Sequence, residues 1–283
     1  MMLLNFKGFN MPVPSRSRIR FATLAILAVV VPAGAADAPP PTPLVHAHAH
    51  NDYLHQRPLL DALDHGFTSI EADVYLVNGQ LLVAHTPTEL KPDRTLKRLY
   101  LDPLREKARA AHGRIWPGGP ALTLLIDIKA NGEASYRALA KLLAEYDDII
   151  SMFGDERRDA KAVTVIVSGN RAEEMIAADV PRYVGIDGRL SDLDSRASAD
   201  LLPLISDNWT AHFRWRGEGP FPDAERAKLL DIVRRAHDRG RRVRFWATPE
   251  IDALWHELLA AQVDLIGADD LVALGRFLRQ AGD

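Results

Sequence analysis

The sequence contains no cysteine, which excludes disulfide bonds and metal sites built from thiolates. It also has no excess of basic residues, since 35 Lys and Arg stand against 38 Asp and Glu and the formal net charge is −3. A nucleic-acid-binding protein would show a basic face, so the composition argues against that class. Aromatic residues are sparse at 7%, but 47% of the residues are hydrophobic, which is enough for a large core without disulfides.

The N-terminal apolar run, from Phe21 to Val31, is too short to span a bilayer. It has 11 residues, whereas a transmembrane helix needs about 20. Three arginines precede this run and the small-residue segment Ala33–Ala35 follows it, which is the three-part pattern of a secretory signal peptide. We therefore predict a signal peptide over residues 1–35, a Pro-rich leader over 36–43, and a periplasmic or secreted protein with no membrane span after cleavage.

Beyond residue 43, strand-like apolar runs alternate with amphipathic, helix-like runs. Such alternation is typical of parallel strands, and eight units in about 240 residues favour a closed (β/α)8 barrel over a doubly wound open sheet. We predict one domain over residues 44–283, with a hairpin turn at Asn78-Gly79. Predicted strands cover 44–50, 69–77, 122–130, 163–168, 183–189, 201–207, 243–248 and 263–268, with a return strand at 80–85. Predicted helices cover 57–65, 96–111, 133–152, 171–178, 223–238, 251–261 and 271–280.

Four polar clusters fall at predicted strand ends, which form the active face of a parallel barrel. In the first cluster, His46, His48 and His50 share one face of the first strand, because side chains alternate along a strand. His50 is nearest the strand end and hence nearest the barrel mouth. His46 lies deepest, so we expect it to be a hydrogen-bonded core residue.

The second cluster pairs Glu71 with Asp73 on one face of the next strand. Two carboxylates inside a barrel repel each other and are costly to bury unpaired. A divalent cation would satisfy both, since Mg²⁺ and Ca²⁺ prefer oxygen ligands. Salt bridges to Lys or Arg are the alternative, which we consider weaker because few basic residues lie on the neighbouring strands.

The third cluster places Asp127 in an apolar run as a natural third metal ligand. Lys129 shares its face and is a candidate for binding a phosphate oxygen, unless it only forms an ion pair with Asp127. In the fourth cluster, His85 ends an apolar run at a loop and suits general acid–base catalysis, because its pKa is naturally near neutral.

Later strands carry further candidates for the substrate pocket. Trp246 either walls the pocket or belongs to the core, and Arg189 either contacts substrate or pairs with Asp187 to support the barrel. Asp269 and Asp270 stand where the last helix begins, so we predict a helix-capping role for them.

Taken together, these motifs resemble the phosphatidylinositol phospholipase C-like phosphodiesterase superfamily. The similarity is greatest to the branch of "altered inheritance of mitochondria" type proteins, and glycerophosphodiester phosphodiesterases and sphingomyelinase D toxins are relatives. The sequence departs from the glycerophosphodiester enzymes, which usually have His-Arg-Gly at the first site and His-Asp at the second histidine. The motifs that carry the resemblance are His50-Asn51-Asp52-Tyr53, Glu71-Ala72-Asp73, His85, Ile126-Asp127-Ile128-Lys129 and Phe245-Trp246-Ala247-Thr248-Pro249.

The resemblance implies a distorted (β/α)8 barrel and a metal-dependent phosphoric diester hydrolase, or a lyase that cleaves the same bond. It implies that Mg or Ca binds to Glu71, Asp73 and Asp127. It also implies two catalytic histidines, His85 and either His50 or the competing His48. The expected substrate is a small-molecule or lipid-headgroup phosphodiester.

Two other classes remain open from the sequence. The first is an amidohydrolase or a histidinol-phosphatase-like phosphoesterase, in which His48 and His50 would be metal ligands. That class needs further histidines on later strands, and this sequence offers few. The second is a noncatalytic ligand-binding protein built on the same barrel.

Overall fold

The protein is described here by a computed structural model that covers Gly8, residues 41–154 and residues 158–282. Apart from Gly8, the predicted signal peptide and the first part of the predicted leader lie outside the described residues. No helix among the described residues is long and apolar enough to cross a membrane.

Strands and helices alternate along the described chain as the sequence predicts. The strands are β1 (Leu44–Ala49), β2 (Phe67–Val77), β3 (Gln80–Val83), β4 (Leu122–Ile128), β5 (Met152–Phe153), β6 (Arg158–Asp159), β7 (Val163–Gly169), β8 (Val184–Gly188), β9 (Leu204–Asn208), β10 (Arg242–Trp246) and β11 (Leu265–Ala268). The helices are α1 (Leu60–Asp64), α2 (Asp102–Ala110), α3 (Gly132–Ala144), α4 (Glu173–Ala178), α5 (Trp209–His212), α6 (Asp223–His237), α7 (Asp252–Ala260) and α8 (Leu271–Ala281).

Eight of these strands form a closed parallel barrel. Their order is β1-β11-β10-β9-β8-β7-β4-β2, and β1 also pairs with β2 to close the sheet on itself. This closure confirms the predicted (β/α)8 barrel and rules out the open sheet. All eight strands therefore point their C-terminal ends to one face of the barrel.

The hairpin predicted at Asn78-Gly79 connects β2 to β3, which pairs antiparallel with the end of β2. Asn78 has φ 49° and Gly79 has φ 78°, so both central residues adopt the left-handed conformation that a tight two-residue hairpin turn requires. The hairpin extends beyond the barrel wall and returns the chain to the mouth, where β3 ends two residues before His85.

Several predicted helices differ in length from those in the structure, and the helix predicted over 57–65 spans only Leu60–Asp64. The helix predicted over 133–152 ends at Ala144, because Ile149 and Ile150 are buried and Ile150 pairs with Val163 at the edge of β7. The apolar spacing there resembles a helix but comes from packing against a strand. The helix predicted from residue 96 begins with a π-helical turn, Lys97–Leu101, that continues into α2.

The barrel interior changes from apolar to polar toward the C-terminal face. Outside the barrel, the helices and strands share one large buried core, whereas inside it a separate layer contains Leu125, Ile166, Leu204 and Leu265. Two residues further along the same four strands are Asp127, Ser168, Ser206 and Gly267. Because strand side chains alternate, these residues face the interior one layer closer to the mouth. The apolar layer thus forms the floor of a polar site.

Replacing Leu204 with Ala should destabilise the protein by about 2–5 kcal/mol, because the floor layer is fully buried and would be left with a cavity. Chemical denaturation monitored by circular dichroism measures the change. Leu230→Ala on α6 is the matched control, since Leu230 is 47% exposed and its loss should cost less than about 0.5 kcal/mol. Equal losses in the two variants would contradict the assignment of a packed floor.

Candidate active site

Three carboxylates converge at the barrel mouth. Asp73 on β2 lies directly opposite Asp127 on β4, and Glu71 precedes Asp73 by two residues on the same strand face. Each of the three offers one oxygen, and these oxygens lie within 4.8 Å of one another. We call Glu71, Asp73 and Asp127 the acid cluster. Glu71 and Asp73 are buried, and Asp127 is half-buried.

Each member of the acid cluster also has a basic partner. Lys129 Nζ lies 2.7 Å from Asp73 Oδ2 and 3.3 Å from Asp127 Oδ2. Arg244 Nη1 lies 2.7 Å from Glu71 Oε2. The expectation that salt bridges would be scarce was wrong, because Arg244 lies on β10, away from the strands next to β2, and reaches Glu71 through the barrel interior.

A fully buried oxygen of the acid cluster has no partner among the described residues. Asp73 Oδ2 accepts hydrogen bonds from Tyr53 and lies beside His85 and Lys129, but Asp73 Oδ1 is buried and accepts none from the described residues. A buried carboxylate oxygen of this kind is costly unless something else satisfies it. A set of carboxylate oxygens is also the ligand set that Mg²⁺ and Ca²⁺ prefer. The residues therefore fit a divalent cation.

The position of Asp127 depends on a glycine in the neighbouring strand. Gly169 at the end of β7 has φ 71°, and a Cβ at this position would lie 2.0 Å from Asp127 Oδ1. Only glycine leaves room for the carboxylate there. Burial raises the pKa of Asp127, and Lys129 partly opposes this rise.

His85 is tied to the acid cluster through Asp73. Its Nδ1 lies 3.0 Å from Asp73 Oδ2 and 3.0 Å from the Tyr53 hydroxyl, which itself donates to Asp73 Oδ2 at 2.7 Å. The backbone is fixed as well, because the His85 N–H donates to Glu89 and the His85 carbonyl accepts from Tyr75. With Nδ1 engaged and the side chain 54% exposed, Nε2 is the nitrogen left to act on a ligand.

His50 lies just after β1 and is held by a different carboxylate. Its Nδ1 lies 2.8 Å from Asp269 Oδ1, and Glu250 fixes Asp269 by accepting its backbone N–H at 2.7 Å. Burial alone would lower the pKa of His50, but the hydrogen bond to Asp269 and the charge of Glu71 raise it above its ordinary value. The predicted capping role is thus wrong for Asp269 and right for Asp270, which accepts from Ala273 N at 2.9 Å.

His48 lies below His50 and is fully buried. Its Nδ1 donates to Ser69 Oγ at 2.8 Å and its Nε2 accepts from Arg244 Nη1. Burial and the charge of Arg244 lower the pKa of His48 to about 4, so the imidazole is neutral at pH 7. Of the two competing histidines, only His50 therefore reaches the mouth.

The substrate-pocket candidates lie at different places on the mouth. Trp246 is half-buried and lines a cavity of about 190 Å³ together with His50, Arg244 and Asp269. Arg189 donates to Asp187 Oδ2 at 3.0 Å, and the Ser168 and Ser206 hydroxyls each donate to the same oxygen at 2.7 Å. Trp246 thus lies beside His50, whereas Arg189 is tied into a buried polar cluster.

Sequence reasoning assigned no role to Tyr53 or Arg244, and it gave Asp269 only a helix-capping role. Tyr53 belongs to the quoted motif His50-Asn51-Asp52-Tyr53, so only its contact with Asp73 was unforeseen. Its neighbour Asp52 points away from the acid cluster and accepts from Leu59 N at 2.6 Å and from the Tyr100 hydroxyl at 2.8 Å. Burial raises the pKa of Asp52 to about 6, and its role is to hold the loop after β1.

Comparisons with known proteins agree with this architecture. The AIM6-like phosphodiesterase domain matches residues 41–113. Altered inheritance of mitochondria protein 6 from Eremothecium gossypii is 31% identical over 263 residues, covering 80% of this chain and 68% of that protein. The homolog from Arthroderma benhamiae is 28% identical over 257 residues, covering 79% of this chain and 80% of that protein.

A solved structure shares the fold at low sequence identity. The crystal structure of a glycerophosphodiester phosphodiesterase from Parabacteroides distasonis superposes with a TM-score of 0.52 and 14% identity. The match covers 86% of this chain and all of that one. At 14% sequence identity, this similarity shows a shared barrel fold and nothing about the activity.

Burial of neutral His48 should make the protein sensitive to acid. Its folded-state pKa of about 4 lies below the usual 6.5, so the unfolded chain binds the proton first as the pH falls. The stability associated with neutral His48 is complete above pH 6.5 and is lost on acidification toward pH 4, by roughly 3 kcal/mol. Urea unfolding at several pH values should show a shallower fall for His48→Gln than for the wild type. His256→Gln, at an exposed position, should leave the wild-type slope unchanged, and a slope that is identical in all three proteins would contradict this account.

Replacing Asp269 with Asn should lower the pKa of His50, because the carboxylate that stabilises the imidazolium is lost. Titration of the His50 ring by NMR measures the shift directly. Asp270→Asn is the matched control, since Asp270 is adjacent but caps α8 and does not contact His50. If the His50 pKa stayed the same in Asp269→Asn, or moved equally in both variants, the pairing would be wrong.

Proposed function

The chain belongs to the altered inheritance of mitochondria protein 6 family, and we propose that it is a phosphodiesterase that depends on a divalent cation. The observation that carries the proposal is the acid cluster with the unpartnered, buried Asp73 Oδ1, which fits a cation at the C-terminal face of a barrel. Two histidines flank this cluster, each oriented by its own carboxylate.

Glu71, Asp73 and Asp127 would hold Mg²⁺ or Ca²⁺. When bound, the cation supplies positive charge to the nonbridging oxygens of a phosphodiester and stabilises the charge of the transition state. Lys129 adds a further positive charge beside Asp73 and Asp127 and would bind a phosphoryl oxygen as a point charge. These groups together favour an anionic diester over a neutral substrate.

The two histidines divide the proton transfers between them. His50 donates Nδ1–H to Asp269, so Nε2 is basic and accepts a proton from the nucleophile, which is water or a neighbouring substrate hydroxyl. The nucleophile forms a new bond to phosphorus as the bond to the leaving alcohol breaks. His85, oriented by Asp73 and Tyr53, donates its Nε2 proton to that alcohol.

We infer that the substrate is a small-molecule or lipid-headgroup phosphodiester. Trp246 would wall the pocket next to His50, while Arg189 would contact the substrate only through the exposed part of its side chain. The signal-like N-terminal pattern supports a periplasmic or secreted location, and the negative net charge argues against a nucleic-acid partner.

A metal site built on His48 and His50 is less well supported than the acid cluster. Both ring nitrogens of His48 are engaged, one by Ser69 and one by Arg244. A metal ligand at this position would have to break the contact with Arg244.

Replacing either proposed catalytic histidine with Ala should reduce kcat by about 10²–10⁴-fold while leaving metal affinity nearly intact. Asp73→Asn should instead weaken metal binding, because it removes the carboxylate at the centre of the acid cluster. Turnover of a panel of phosphodiesters with Mg²⁺ or Ca²⁺, together with calorimetric metal titration, separates the two effects. Full turnover after dialysis against a chelator would contradict the metal dependence, and unchanged turnover in His50→Ala and His85→Ala would favour a noncatalytic binding protein.

A further inference from the structure

A buried arginine lies inside the barrel next to the acid cluster. Arg244 on β10 is 4% exposed, and its Nη1 donates to Glu71 Oε2 at 2.7 Å and to His48 Nε2. Its Nε is buried and has no hydrogen-bond partner among the described residues. The guanidinium is therefore held mainly through one of its ends, by the carboxylate of Glu71.

Arg244 and Glu71 form an ion pair in which both side chains are buried. The Glu71 side chain is 6% exposed and the Arg244 side chain 5%. Burying either charge alone would be expensive, so each stabilises the other. A divalent cation that binds the acid cluster must share Glu71 with a positive charge that is already there.

We propose that Arg244 is a positioning residue that weakens the divalent-cation site by restraining Glu71 and offsetting its charge. The contact that fixes Glu71 is made at Oε2, which accepts from Arg244 Nη1 at 2.7 Å. The affinity for the cation is then set mainly by Asp73 and Asp127, and the bound cation exchanges with solvent. This inference rests on the proposed function, because it takes the acid cluster as the cation site.

The barrel offers a matched control on the same strand. Arg242 precedes Arg244 by two residues, so it lies on the same strand face but further from the mouth. Its Nη2 donates to Thr123 Oγ1 at 3.1 Å. Removing Arg242 deletes an identical charge from β10 without touching Glu71.

The decisive experiment is calorimetric titration of Mg²⁺ and of Ca²⁺ into the wild type, Arg244→Met, Arg244→Gln and Arg242→Met. We expect the Kd to fall by about tenfold or more in both Arg244 variants, because a repelling charge is lost and Glu71 is released. In Arg242→Met the Kd should stay within about twofold of the wild-type value. Arg244→Gln keeps a polar group at this position, so it serves if the Met variant does not fold.

Two further measurements test whether Arg244 acts through Glu71. Adding Glu71→Gln to the Arg244→Met variant should return the Kd to within about threefold of the wild-type value, since the pair is again neutral and no carboxylate is left to release. Without added metal, the Arg244 variants should unfold at lower temperature than the wild type, and saturating metal should recover most of that loss. A purely structural arginine would lower the unfolding temperature equally with and without metal.

The outcomes separate this inference from the proposed function. Equal affinity for metal in the wild type and in both Arg244 variants would overturn the role of Arg244 while leaving the cation site intact. If the Arg244 variants bind metal and the wild type does not, the role of Arg244 is supported, and metal dependence of the natural protein is contradicted. Absence of binding in all the proteins would overturn both.

Discussion

Three carboxylates can be buried in one barrel mouth only if positive charge reaches each of them, and much of this site is arranged around that requirement. Lys129 lies between Asp73 and Asp127, and Arg244 pairs with Glu71 from the far side of the interior. The floor of apolar residues beneath them excludes water and makes each of these charge pairs stronger. Asp73 Oδ1, a fully buried oxygen that no described residue satisfies, is the point at which the site fits a cation.

The two histidines depend on the same arrangement in different ways. His85 is oriented by Asp73, so its position is coupled to the charge balance of the acid cluster. His50, just after β1, is oriented by Asp269, which follows the neighbouring strand β11, and the charge of Glu71 acts on it through space. The two histidines are therefore oriented by different carboxylates.

The sequence was informative wherever a feature repeats along the chain. Alternating apolar and polar residues placed the barrel strands, and polar residues at their C-terminal ends placed Glu71, Asp73, Asp127 and His85 together. The motifs also led to the branch of "altered inheritance of mitochondria" type proteins, which the similarity to its members confirms. What sequence reasoning missed were contacts between distant strands: Arg244 with Glu71, and Asp269 with His50. Strand order and barrel closure bring these residues together, and their spacing in the sequence does not indicate such contacts. The end of α3 was misjudged for a related reason, because Ile149 and Ile150 are buried by a tertiary contact with β7.

The location of His85 on the hairpin after β2 has a consequence for how such proteins diversify. The hairpin strand β3 pairs with the end of β2 and bridges to Thr95, and it takes no part in closing the barrel. Its length and sequence can change without altering the shear or the floor of the barrel. A change in β3 would thus move His85 relative to the acid cluster, whereas His50 and Asp269 follow β1 and β11 and are held by the barrel itself.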